Sequence, residues 1–216
     1  MSLPIYNQDL GIIGILAQSA PQEYTDCITF TGETSDFTLK ATNKEWDGTV
    51  EYSTDHNTWT VWDGSTISSS GQKLYLRGSG NTRFYTSKGA RFVLSARAAC
   101  SGNIQTLLEY SNPPTSISVE YCYNGMFRSC KSLTQAPELP ATTLASYCYD
   151  GMFYNCTSLK ISATQSSDYP TAWRIPSSGT ISSTRTNWNI NMLKSTGGTF
   201  TSDPSINKTY YGAWTK

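Results

Sequence analysis

The chain has 216 residues, 38% hydrophobic, 12% aromatic and only 15% charged, with a formal net charge of zero. A zero balance excludes a protein whose overall field gathers nucleic acid or anionic membrane, and the steady recurrence of aromatics excludes a disordered chain. With Ser, Thr, Asn and Gly making up much of the remainder, the composition suits a β-rich extracellular or surface protein better than a helical cytosolic enzyme.

Charge is unevenly placed. Residues 1–39 carry Asp9, Glu23, Asp26, Glu33 and Asp36 with no Lys or Arg, whereas residues 157–216 carry six basic side chains against Asp168 and Asp203. Such polarity would orient the molecule in an assembly, although an asymmetry of solvated side chains gives the same pattern.

The first apolar run is Leu10 to Ala17, well short of the roughly 18–20 residues of a membrane span. Asp9 and the absence of positive charge before it contradict a secretory leader cleaved at Ala17-Gln-Ser-Ala20. Residues 1–24 are therefore expected to be a docking segment, with Leu10, Ile12, Ile13, Ile15 and Leu16 buried against a partner or the chain's own body.

Six short runs then alternate with period two: Cys27–Phe30, Phe37–Leu39, Thr49–Tyr52, Thr58–Trp62, Lys73–Arg77 and Ala90–Leu94. Turn signals separate them, among them Asp47-Gly48, Asp63-Gly64 and Lys88-Gly89. The expectation is an antiparallel β-sandwich of Ig-like type over residues 25–97. Trp46, Trp59 and Trp62 cluster in sequence around His56. Trp59 shares its alternation with inward positions, so these rings are either core or exposed ligand contacts. His56, the sole histidine, is expected in a solvated loop.

Residues 98–216 have another character. Tyr121-Cys-Tyr-Asn-Gly-Met-Phe-Arg-Ser-Cys-Lys-Ser-Leu133 returns 26 residues later as Tyr147-Cys-Tyr-Asp-Gly-Met-Phe-Tyr-Asn-Cys-Thr-Ser-Leu159, identical at nine of thirteen positions. Pro114 and Leu107 align one period upstream, and Trp188–Leu193 echoes Cys148–Phe153 after a longer interval. Two strong copies flanked by degenerate ones suggest a capped solenoid of about four coils. Its core is expected at Cys122, Met126, Phe127, Cys130 and Leu133, and again at Cys148, Met152, Phe153, Cys156 and Leu159. Leu144, Cys148 and Met152 stand at i, i+4 and i+8, the spacing of one face of a short helix.

Cys122/Cys130 and Cys148/Cys156 lie eight apart, too wide for the usual zinc pairs and without a nearby histidine. Stacked coils would place Cys122 over Cys148 and Cys130 over Cys156, as buried thiols or as disulfides. No metal, cofactor or catalytic motif is expected. Tyr123, Tyr149 and Tyr154 join the tryptophans as candidate ligand-contact aromatics.

The run Met126 to Ala141, Met-Phe-x-x-Cys-x-Ser-Leu-x-x-Ala-Pro-x-Leu-Pro-Ala, resembles the BspA-type leucine-rich repeat. The resemblance covers roughly residues 100–216, with most of its strength in 117–162. It implies adhesion or assembly on bacterial surfaces, or, in the short form resembled here, among structural proteins of phages that infect gut bacteria. The expected function is thus a non-enzymatic virion surface protein, as a capsid decoration, head fibre or tail-associated component. Its N-terminal segment would meet other virion proteins, and its repeats would face host or mucosal glycans or proteins. A homo-oligomer, such as a trimer, would add avidity; nucleic acid and membrane are not expected partners. A secreted bacterial adhesin at the cell surface is the alternative, followed by a glycan-active enzyme built on two distant carboxylates.

Overall fold

A computed structural model of the chain describes residues 26–85, 88–181 and 183–215. The expected docking segment 1–24, with Leu10, Ile12, Ile13, Ile15 and Leu16, lies outside the described residues.

The protein is mainly β, with several sheets. Its first half holds β1 (Ile28–Gly32), β2 (Thr38–Ala41), β3 (Thr49–Ser53), β4 (Thr60–Val61), β5 (Ile67–Ser68), β6 (Lys73–Ser79), β7 (Phe92–Leu94) and β8 (Ala98–Ser101). All six runs expected to be strands contain one. β9 (Leu133–Gln135) comes from the repeats yet closes the large sheet, whose order is β4-β3-β6-β1-β8-β9; a second sheet has the order β5-β2-β7. Period-two alternation does what it should in β6, where Leu74 and Leu76 turn inward between half-buried Lys73, Tyr75 and Arg77. Phe30 from β1 and Phe92 from β7 bring the two sheets together, their rings 6.5 Å apart.

The repeats contain no α-helix among the described residues. Left-handed φ returns at every fourth residue in three stretches: Tyr121, Gly125 and Ser129; Tyr147, Gly151 and Asn155; Asn187, Asn191 and Ser195, all between 54° and 62°. An α-helix of L-residues cannot carry that pattern. Instead, the N–H groups of residues 124, 126, 128 and 130 donate three residues back, closing a chain of β-turns. The alternate N–H groups of 121, 123, 125, 127 and 129 donate to the carbonyls of 146, 148, 150, 152 and 154 in the next stretch. Those of 149, 151, 153 and 155 donate in turn to 188, 190, 192 and 194, which is the register that the Trp188–Leu193 echo suggests.

This corrects the short helix expected around Leu144, Cys148 and Met152. A ladder of linked turns repeats every four residues, so it places i, i+4 and i+8 on one side as a helix nearly does. It differs in pointing adjacent pairs inward. Cys122 with Tyr123, then Met126 with Phe127, are wholly buried, as are Cys148 with Tyr149 and Met152 with Phe153. Cys130, Leu133, Cys156 and Leu159 complete the expected repeat core and are also buried.

Stacking of equal residues builds columns. Phe127 lies over Phe153 at 5.5 Å and Tyr123 over Tyr149 at 6.0 Å, both pairs nearly parallel. The columns start in the sheet region: Phe84 stacks on Tyr123 at 5.9 Å, and Phe30 and Phe92 meet Phe127 at 6.4 and 5.7 Å. The Phe84 and Phe92 N–H groups also donate to the Cys122 and Met126 carbonyls, so the segment between β6 and β7 covers the first turn stretch. One continuous core of buried residues runs from Ile28 in the sheet region to Tyr210 beyond the turn stretches. β8 itself pairs antiparallel with β1 and parallel with β9.

β11 (Ile161–Ser162), β12 (Thr171–Ile175) and β14 (Lys208–Gly212) form an antiparallel sheet of order β11-β14-β12, with Trp173 of β12 packed on Phe153 at 6.1 Å. β10 (Thr143–Leu144) and β13 (Ser183–Thr184) pair in parallel.

Candidate functional site

Most of the expected ligand-contact aromatics are core. Trp46 and Trp62 stack at 5.3 Å and are 5% and 1% exposed, with the Trp62 indole N–H donating to the Ser65 carbonyl. Tyr123 and Tyr149 are fully buried in their column, and the Tyr123 hydroxyl donates to the Gln105 side chain at 2.7 Å. None of these four rings can touch a ligand without unfolding the body. Trp46 lies outside the strands and Tyr123 in the turn ladder, and both side chains are directed inward.

Trp59 and Tyr154 remain at the surface, each over a guanidinium. Arg77 lies 4.1 Å from the Trp59 ring and 4.3 Å from Tyr110, clamped between two aromatic faces, and its Nε meets Glu51 at 2.8 Å. Arg128 covers Tyr154 at 4.4 Å. A ring face occupied by Arg is not free to stack on a ligand. His56 is no solvated loop residue. It is half-buried with left-handed backbone, its ring packs on Trp59 and Tyr75, and its Nε2 lies 3.4 Å from the Cys27 Sγ. Burial pushes the Cys27 thiol up to about 11, which keeps it protonated and unreactive at neutral pH.

All six cysteines are free and buried. Burial raises the thiol pKa of Cys100, Cys122, Cys130, Cys148 and Cys156 as well, with Cys148 adding to the effect at Cys122 and Cys130 adding to it at Cys100 and Cys156. Cys148 thus neighbours Cys122, and Cys130 neighbours both Cys100 and Cys156, whose thiol donates to the Phe127 carbonyl at 2.8 Å. Among the described residues no group of three or more His, Cys, Asp or Glu side chains could hold a metal ion.

A third column lies at the surface, with Tyr121 exposed and Tyr85 and Tyr147 half-buried. Tyr85, Tyr121 and Tyr147 stack at 5.5 and 4.9 Å, and the Tyr147 hydroxyl accepts a bond from the Asn187 amide. Each inner face is taken by its neighbour, so this column presents ring edges and hydroxyls rather than open faces.

A concave feature lies where the large sheet ends. β9 faces the β11-β14-β12 sheet across two adjoining recesses of about 380 and 250 Å³, which share Gln135 and Trp214. The larger runs from Gln135 toward Arg97 and Lys160, the smaller toward Glu138, Arg174 and Thr209. The larger alone has the size of a small-ligand site, and the smaller extends it. Trp214, half-buried, divides and joins them. Its position is set from three sides: its carbonyl accepts from the Thr171 hydroxyl, the Ala213 N–H donates to the Lys160 carbonyl, and its six-membered ring rests where a side chain on Gly212 would stand. Sequence reading missed this residue, since Trp214 follows the last strand and belongs to neither the repeat nor the His56 cluster. The available signal was the Gly212-Ala-Trp214 triplet, a large ring two residues after a glycine that leaves room for it.

No protein-family model, curated protein or solved structure matches this chain.

Proposed function

We propose that this protein is a non-enzymatic virion surface protein of a bacteriophage of gut bacteria, a capsid decoration, head fibre or tail-associated component that adheres to host or mucosal surfaces. In this reading the sheet region is an Ig-like sandwich, and the turn stretches are coils of a short BspA-type leucine-rich-repeat solenoid. Residues 1–24 dock on other virion proteins, and copies cluster, as in a trimer, so that weak contacts add.

The observation that carries the reading is the register of the turn stack. Successive stretches donate their alternate N–H groups to the next and bury equal residues over one another, which makes a rigid body whose outer side chains are left for partners. The reactive groups support a binding role too: thiols and two tyrosine hydroxyls are sequestered in the core, while the accessible hollow is lined by an indole and polar side chains.

Deleting residues 1–20 tests the docking role. Particles assembled with the truncated chain are expected to lack it, while its thermal transition in isolation stays unchanged. Undiminished incorporation would contradict the proposal, and so would a full-length chain found on the bacterial envelope rather than on purified particles.

A further inference from the structure

We infer that the two recesses around Trp214 form one binding groove for an uncharged saccharide chain. The inference rests on the adhesive reading above and names its ligand.

The first argument is the form of the site. Gln135 and Trp214 belong to both recesses, so a linear ligand lying over this pair places one part in each. The indole offers a flat apolar surface beside an N–H donor. Around it stand polar side chains: Gln135 and Thr134 from β9, the latter also bonded to Glu33, and Ser177 and Thr209 from the opposite wall. An apolar platform ringed by amide and hydroxyl groups matches a sugar, whose rings carry C–H faces and hydroxyl edges.

The second argument concerns charge. The groove holds two arginines, which would ordinarily indicate an acidic ligand, but both are engaged. Arg97 gives Nε and Nη2 to Glu33 at 2.7 and 3.3 Å and Nη1 to the Ser158 hydroxyl at 2.9 Å. Arg174 turns its Nη1 to the carbonyls of Pro176 and Gly179 at 2.7 and 2.8 Å. The remaining charges, Lys160 in one recess and Glu138 in the other, have opposite signs. A carboxylate- or sulfate-bearing chain would lie along both and gain from only one.

The third argument separates a sugar from a peptide. A peptide entering between two sheet edges adds as a strand and needs a continuous row of open backbone groups. The β9 edge does not continue that way. Pro137 and Pro140 lack N–H groups, the Pro137 carbonyl already accepts from the Trp173 indole at 3.0 Å, and the Leu139 carbonyl accepts from Ser177 at 3.1 Å.

The test is calorimetric titration of the full chain with cellohexaose, mannohexaose, chitohexaose and the acidic hexamer of galacturonate, with adhesion to mucin-coated beads and gut bacterial isolates measured in parallel. At least one neutral hexamer is expected to bind, and Trp214→Ala and Gln135→Ala are each expected to weaken it at least tenfold. Gln135→Ala removes only a surface amide, so it keeps the test decisive if Trp214→Ala unfolds the chain. Binding of none of the neutral hexamers, binding of the acidic hexamer alone, or binding unchanged in both variants would overturn the groove. Adhesion that persists in both variants would sink the groove and keep the adhesive reading. A neutral hexamer that binds without any adhesion of the chain would do the reverse.

Discussion

In β6, inward residues alternate and left-handed backbone is left to the turns between strands, as at His56 and Gln72. In the stretch 121–129 the left-handed residue is part of the repeating unit, and inward residues come as neighbours, Cys122 with Tyr123 and Met126 with Phe127. Both arrangements satisfy backbone N–H groups on an adjacent segment, but they spend sequence differently. A strand asks for β-branched and aromatic residues on one face. A turn ladder needs left-handed backbone at one position in four, supplied here by Gly, Asn, Ser and two Tyr residues, and accepts thiols and thioethers inside. Equal residues then stack on equal residues, so a single column can run from one region into the other.

The sharpest way to break this comparison is to remove the ring on which the regions meet. Phe127 touches Phe30 and Phe92 on one side and Phe153 on the other. Phe127→Ala should cost about 3–5 kcal/mol, read as a shift of the urea midpoint. If the regions fold as one body, signals from both move together; a shift confined to the repeats would break the comparison.

A smaller effect is expected at the left-handed positions. Gly125 has φ of 61°, and a Cβ there would meet nothing closer than Arg128 at 3.7 Å, so Gly125→Ala isolates the backbone cost, about 1–2 kcal/mol. Asn155, with φ of 59° at the ladder's last left-handed position in the next stretch, should tolerate glycine at little cost. Equal losses from Gly125→Ala and Asn155→Gly would contradict a conformational role.

The smallest effect near neutral pH is that of the thiols, and it grows with alkali. A free thiol ionises around 9.0, and burial raises Cys27 and Cys130 to about 11. Because the folded values lie above the unfolded one, stability is untouched below about pH 9 and falls as pH rises toward 11. Replacing Cys130 by Ala should flatten part of that alkaline decline in a series of urea titrations. A thiol reagent should label none of the six in the native protein at pH 8 and all six in urea.

Much of the fold was legible because strands announce themselves locally. The alternation in Lys73–Arg77 and the turn at Asp47-Gly48 carry their own meaning. The 26-residue return of the Tyr-Cys-Tyr pattern likewise disclosed the stack and its neighbouring thiols. The helix expected at Leu144, Cys148 and Met152 failed because four-residue spacing belongs to two structures. Gly125 with Ser129, and Gly151 with Asn155, each pair four residues apart, were the sign of the other one. The site was harder to read. Trp46, Trp62, Tyr123 and Tyr149 are aromatic for packing, and no local pattern separates such rings from those that meet ligands. Trp214 is placed by Gly212, two residues before it, and by Thr171 and Lys160, which only the tertiary fold brings to it.

The central structural claim is that one core joins the sheet region to the turn stack. Differential scanning calorimetry of the intact chain tests it most directly. The account predicts a single transition whose calorimetric and van't Hoff enthalpies agree. Two resolved transitions, with Phe127→Ala moving only one of them, would contradict it.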